Sequence, residues 1–246
     1  MQKNILIIGY GDIAMRLSAI LSKDSYEIYG ISRSKKRCLN NFIQWDWTTT
    51  ELPNLECKDF ESIIFIPKPS NSHQEGYQEG FLKSSENTFA LLEASKKIIY
   101  KKFITISSTG AYGLKTRQES YLDEFSNIVP MFTEEDTHAG ADDVELGQHI
   151  IRQYEQNQIK RFKNKLILWR FSGLYTSEPK SKNHLHRDNA AKIIKFFIEN
   201  DFNFTSHEIF NCSEDAKLFV GNKKSTYGNI SNEKLKKLGF IFDWYH

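Results

Sequence analysis

An apolar run that breaks into a glycine turn constrains this chain more than any other feature. Residues 3–8 read Lys-Asn-Ile-Leu-Ile-Ile, and Gly9-Tyr10-Gly11-Asp12-Ile13-Ala14 follows at once. A continuous apolar stretch of this length suits a strand buried on both faces of a parallel sheet. After the turn, Ile13, Ala14, Leu17, Ile20 and Leu21 recur at helical spacing. In a G-x-G-x-x-A turn between strand and helix, the first glycine permits the tight bend. The second lets a pyrophosphate approach the backbone, and the alanine lets helix pack on strand. The positive end of the helix then faces the phosphate charge. Gly9, Tyr10, Gly11, Asp12 and Ile13 are therefore the expected cradle of a dinucleotide.

The rest of the chain alternates in the same style. Strand-like runs at 27–31, 42–45, 62–66, 102–106 and 165–170 are separated by helical patterns at 77–97 and 146–160, with another at 189–199. Pro67-Lys68-Pro69 stops the fourth run, because proline cannot continue the ladder. The pattern predicts an α/β doubly wound parallel sheet, the Rossmann fold, with a small C-terminal substrate-side annex. Residues 1–165 would form the dinucleotide-binding domain, and 166–246 the remaining sheet strands plus the annex. A short strand at 208–211 and a helix at 231–238 are assigned to that annex.

Charge and composition exclude several other classes. Lys+Arg 33 against Asp+Glu 31 leaves a net charge of +2, mixed along the chain, so no nucleic-acid partner is expected. The apolar start ends at Gly9, too short for a membrane span of about 20 residues, so no membrane partner is expected and the location expected is cytoplasmic. Cys38, Cys57 and Cys212 are odd in number and widely spaced, which offers neither a disulfide framework nor a zinc pattern. No metal site is expected. The partner implied is a small-molecule substrate, and oligomeric state is not legible.

The second strand identifies the form of the cofactor. An NAD site places Asp or Glu at the end of that strand to hold the ribose 2′-hydroxyl. Here the position reads Ser32-Arg33-Ser34, with no carboxylate. Arg33 would stack on the adenine and pair with a 2′-phosphate, helped by the hydroxyls of Ser32 and Ser34. A solvated surface arginine is the competing reading. NADP is thus expected ahead of NAD, and Pro67 joins the cofactor-facing set.

Further segments carry a resemblance. They are Asp46 after the third strand, Ile106-Ser107-Ser108-Thr109-Gly110-Ala111-Tyr112-Gly113 after the fifth, Arg170-Phe171-Ser172-Gly173-Leu174-Tyr175 after the sixth, and Leu185-His186-Arg187-Asp188-Asn189-Ala190. With the glycine turn, they resemble the extended and atypical short-chain dehydrogenase/reductase superfamily, its NAD(P)-dependent epimerase/dehydratase group. The resemblance implies Ser108 as a catalytic hydroxyl and Asp46 beside the adenine. It also implies Thr109, Tyr112, Arg170 and Tyr175 along the substrate cleft, and a sugar nucleotide or similar carbonyl or hydroxyl compound as substrate. The family's second Asp near 189 is Asn189 here.

The chain departs from that family at its proton-transfer pair. A Tyr-x-x-x-Lys turn lets the ammonium lower the phenol pKa, yet no tyrosine in this sequence has Lys four places later. Three readings remain open. His138 does the proton work, since imidazole titrates near neutrality; the chain is a non-catalytic NADP-binding redox or metabolite sensor; or it keeps the fold with an empty site.

Overall fold

The computed structural model describes residues 2–35, 39–47, 49, 51–55, 59–95, 98–112, 133–134, 146–179, 183–214 and 230–243. Its centre is a seven-stranded sheet in which every pairing is parallel. The strands are β1 (Lys3–Ile8), β2 (Tyr26–Ser32), β3 (Asn41–Gln44), β4 (Asp59–Phe65), β5 (Ile99–Ser108), β6 (Leu166–Phe171) and β9 (Glu208–Cys212), in the order β3-β2-β1-β4-β5-β6-β9. This is the doubly wound order, and it reverses between β1 and β4. A second, two-stranded sheet pairs β7 (Gly173–Tyr175) with β8 (His184–His186).

Strand alternation divides β1 between two cores. Ile5 and Ile7 enter one with Ile13 and Leu17 of α1 (Asp12–Ile20) and Ile193, Ile194 and Phe197 of α5 (Arg187–Glu199). Leu6 and Ile8 enter the other, with Leu91 and Leu92 of α3 (Ser84–Ala94) and Ile150, Ile151 and Tyr154 of α4 (Leu146–Phe162). Each such side chain, fully buried, contributes about 1.5–3 kcal/mol. The continuous apolar reading of residues 5–8 thus has its cause in helices on both faces.

Two expectations are corrected. The strand at 208–211 does not build the annex: β9 pairs with β6 and forms the last strand of the main sheet. The helix expected over 77–97 has three parts: α2 (Gln74–Tyr77), a π-helical turn at Gln78–Lys83, and α3. The π segment lies at a close approach: a Cβ on Gly80 would lie 2.4 Å from the Lys68 carbonyl oxygen and 2.5 Å from Pro69 Cα. The π turn therefore presses on the proline loop after β4.

α5 begins at a built cap. His186 Nδ1 accepts from the Asp188 backbone N–H at 3.2 Å, while its Nε2 meets the Thr176 carbonyl at 2.8 Å. Asn189 is where an amide is required, since its Nδ2 donates to the Asp243 carbonyl at 2.9 Å and its Oδ1 accepts from the Asp243 N–H at 3.0 Å. A carboxylate could not do both. A short helix α6 (Glu233–Lys237) packs beside β9. Among the described residues, no helix is long and apolar enough to cross a membrane.

Candidate functional site

The carboxyl ends of the central strands open into a cavity of about 490 Å³. Its lining includes Gly9, Tyr10, Gly11, Asp12 and Ile13 from the glycine turn, Ser32, Arg33 and Ser34 after β2, Pro67 after β4, and Ser108 at the end of β5. Trp47, Lys68, Ser107, Phe171, Ser172 and Arg187 complete much of the rest. A crevice at the reversal of strand order is where open α/β sheets bind ligands.

The turn is fixed by sterics at one glycine and left open at the other. Gly9 has φ +97°, a left-handed conformation, and a Cβ there would lie 2.3 Å from the Ile66 carbonyl oxygen. The Gly9 and Tyr10 amides both donate to the Ile31 carbonyl at 2.9 Å, which ties the turn to β2. Above Gly11 a Cβ would meet nothing nearer than Gly9 O at 3.8 Å. Gly11 is also the N-cap of α1 and has no side-chain cap. The first amides of α1 thus stand over free space, a cradle that any larger residue at 11 would fill. These residues fit a dinucleotide pyrophosphate.

One carboxylate stands at that helix end, and it is neutralised. Asp12 Oδ2 accepts from Arg16 Nε at 3.1 Å and from Arg187 Nη1 at 3.0 Å. Burial raises the Asp12 carboxyl, but hydrogen bonds and charge from Arg187 and Arg16 outweigh it and hold the group below the usual carboxylate range. Arg16 also pairs with Asp188 at the start of α5.

After β2, Arg33 is exposed and its guanidinium lies 5.5 Å from the centre of the Trp47 ring. Its carbonyl accepts from Gln44 Nε2 at 3.0 Å, which ties the loop to β3. The Ser32 hydroxyl donates to the Ser34 carbonyl at 2.7 Å, so its proton is committed within the loop. Asp46 is exposed and does not line the cavity, whereas its neighbour Trp47 does.

Ser108 Oγ accepts from the Gly110 amide at 3.0 Å, which leaves its own proton to donate. Thr109 is buried behind it, 9% exposed. Tyr112 and Arg170 lie away from the cavity lining, at 1% and 0% exposed, and Tyr175 is buried too. Arg170 donates to Glu155 through Nε at 2.9 Å and Nη2 at 2.6 Å, and through Nη1 to the Tyr112 hydroxyl at 2.9 Å. That hydroxyl in turn meets Asn211 Oδ1 at 2.7 Å. Strand alternation sends Arg170 to α4 and Phe171 to the opposite face, and Phe171 lines the cavity together with Ser172 just past the strand end. Burial pushes the Tyr112 phenol up to about 12 despite the opposing Arg170 charge. Burial disfavours the charged Arg170, but Glu155 outweighs it and raises its pKa. Tyr175 donates to Glu214 Oε2 at 2.8 Å. His138 lies outside the described residues, and these contain no cluster able to hold a metal.

α4 meets the end of β5 through Ile151 and through Glu155, which accepts from the Ser107 hydroxyl. A Cβ on Gly110 would stand 3.3 Å from both Ser108 Oγ and Ile151 Cδ1. One helical turn before Ile151 comes Gly147, against the Tyr77 ring.

No family model matches the sequence, and no curated protein does. Solved structures share its fold. A short-chain dehydrogenase/reductase superfamily protein from Agrobacterium tumefaciens with bound NAD matches at TM-score 0.68 and 12% identity, covering 98% of this chain and 93% of that one. The Bordetella bronchiseptica enzyme WbmH in complex with NAD+ matches at TM-score 0.66 and 8% identity, with the same coverage of 98% and 93%. UDP-N-acetylglucosamine 4-epimerase from Methanobrevibacter ruminantium, in complex with UDP-N-acetylmuramic acid, matches at TM-score 0.58 and 15% identity, again over 98% and 93%. The fold is the Rossmann-type fold of the short-chain dehydrogenase/reductase and epimerase structures, as the motifs imply.

Proposed function

We propose that this chain binds a nicotinamide dinucleotide, NADP in preference to NAD, and acts as an oxidoreductase-, epimerase- or dehydratase-like protein on a sugar nucleotide or another small carbonyl or hydroxyl compound. The observation that carries the reading is one cavity joining the glycine turn, the Arg33 loop and Ser108 along the carboxyl edge of the sheet. Bound there, the dinucleotide would supply hydride transfer at carbon. The α1 amides and Gly11 would hold its pyrophosphate. Arg33 would grip the 2′-phosphate with its planar fork while Trp47 supports the guanidinium from behind. Ser108 would donate its free proton to the substrate oxygen, and Ser107, Phe171 and Ser172 would close the cleft around it.

A second reading, a non-catalytic NADP-binding sensor, is favoured by the sequence, in which no tyrosine has Lys four places later.

Ligand-dependent thermal unfolding tests the binding. NADPH at 100 times its Kd adds about 2.7 kcal/mol, roughly 5–10 °C for a chain of this size. The expected rise is larger with NADPH than with NADH, and Arg33→Ala removes the difference. A midpoint moved by neither cofactor overturns the reading. Turnover is then followed at the reduced-nicotinamide absorbance band with a carbonyl and sugar-nucleotide panel. Activity lost in Ser108→Ala supports the enzyme, and NADPH binding without turnover supports the sensor.

A further inference from the structure

The cavity has a second polar wall, contributed by the C-terminal half of the chain. Ser172, just past the end of β6, and Arg187, the first residue of α5, both line it. Each carries a buried polar atom with no hydrogen-bond partner among the described residues: Ser172 Oγ and Arg187 Nε. Ser172 is 4% exposed. A buried hydroxyl or guanidinium N–H without a partner is unfavourable, and each of these two calls for an acceptor that the described residues do not supply.

Arg187 is also in an unfavourable place for a cation. It opens a helix, where the macrodipole is positive. What holds it is Asp12, at the first position of α1, 3.0 Å from Nη1. The guanidinium therefore hangs over the helix end that faces the glycine turn. The charged groups around it are Asp12, Arg16 and Asp188, which with Arg187 itself make two cations and two anions. An incoming diphosphate meets a locally neutral cluster in which the buried Nε–H of Arg187 has no partner among the described residues.

We infer that Arg187 is a positioning residue that clamps the dinucleotide pyrophosphate from the α5 side, with Ser172 as a second donor toward the nicotinamide half. The clamp rests on the dinucleotide reading above. Asp12 is the competitor for Arg187: its carboxylate holds the guanidinium at the cradle and repels the phosphates that enter it. The pyrophosphate takes over part of the donor set from Asp12, so the two halves of the chain close on one ligand.

Isothermal titration with two probes separates this from a bridge that only joins α1 to α5. Arg187→Ala is expected to weaken NADPH roughly 10- to 100-fold, the range for losing a charge-assisted hydrogen bond. Adenosine 2′-monophosphate, which has no pyrophosphate and would rely on Arg33, should bind Arg187→Ala as it binds wild type. Asp12→Asn should tighten NADPH several-fold, because it frees Arg187 and removes a like charge. Arg187→Lys, which keeps the charge and the fold but loses the fork, should fall between Ala and wild type. Ser172→Ala should weaken NADPH and leave the monophosphate unchanged. A merely structural bridge makes Arg187→Ala and Asp12→Asn weaken binding alike, and that result overturns the clamp. So does NADPH binding to Arg187→Ala within twofold of wild type, which leaves the dinucleotide reading intact. Wild-type protein that binds neither probe overturns both.

Discussion

The two glycines of the turn should fail in opposite ways when each is replaced by alanine. At Gly9 the backbone sits at φ +97°, and the added Cβ would lie 2.3 Å from the Ile66 carbonyl oxygen, where about 3.4 Å is the ordinary contact. Left-handed strain costs about 1–3 kcal/mol and forced overpacking a further 1–3 kcal/mol. Gly9→Ala should therefore lose about 2–6 kcal/mol, roughly 4–24 °C in thermal midpoint for a chain of this length. At Gly11 the backbone is extended, with φ −107°, and the Cβ has only Gly9 O at 3.8 Å for company. The entropy removed from the unfolded chain, about 0.4–1 kcal/mol, offsets the small loss of an N-cap glycine. Gly11→Ala should keep the wild-type midpoint and lose NADPH affinity, because its methyl stands where the phosphate approaches. Calorimetric unfolding and NADPH titration of the two variants, side by side, check both halves. A Gly11→Ala protein that binds NADPH at wild-type affinity would falsify the placement of the pyrophosphate. Equal destabilisation in both variants would refute the steric argument.

Two further outcomes concern the buried network under the site. Glu155→Ala leaves Arg170 charged at 0% exposure without its carboxylate, so stability should fall by about 3–5 kcal/mol, measured by urea unfolding. The Tyr112 phenol, pushed up to about 12 by burial, keeps its proton in the folded chain at pH values where the unfolded chain releases one. Its contribution is complete below about pH 10, the ordinary tyrosine value, and is lost as pH rises from there to about 12. Wild-type stability should decline across that window, and Tyr112→Phe should flatten the decline in a pH series of unfolding midpoints.

Local pattern made the turn, the strands and the helices legible, because each depends on residues near in sequence. Ile5 to Ile8 read as a doubly buried strand because helices flank both faces, and Gly9 reads as a turn because no other residue fits its φ. What could not be read is pairing. Nothing in Glu208–Cys212 says that it lies beside β6, since a short apolar strand looks the same in an annex as at a sheet edge. Side-chain direction at a strand end is equally hidden: Arg170 in a family-like segment suggests a cleft, yet a one-residue change of phase sends it to Glu155 and gives the cavity to Phe171 and Ser172. Arg187 did leave a trace in the sequence. A basic residue opening a helix opposes the macrodipole, and such a conflict between local preference and position points to an outside partner. Trp47 and Lys68 left none, because their place in the wall comes from how β3 and β4 end.

The parallel sheet has a consequence for how the chain is made. One face of β1, β4 and β5, with Ile5, Ile7, Ile64, Ile104 and Ile106, is covered by Ala190, Ile193, Ile194 and Phe197 of α5. Roughly 175 residues separate the glycine turn from that helix, about 10–35 s of ribosomal synthesis at ~5–20 residues per second. Through that interval α1 alone covers part of this face, and the rest of the aliphatic surface waits for distant sequence. A truncated chain ending before α5 would have the glycine turn yet neither a closed core nor a second wall, and it should be a substrate for chaperones rather than a binder of nucleotides.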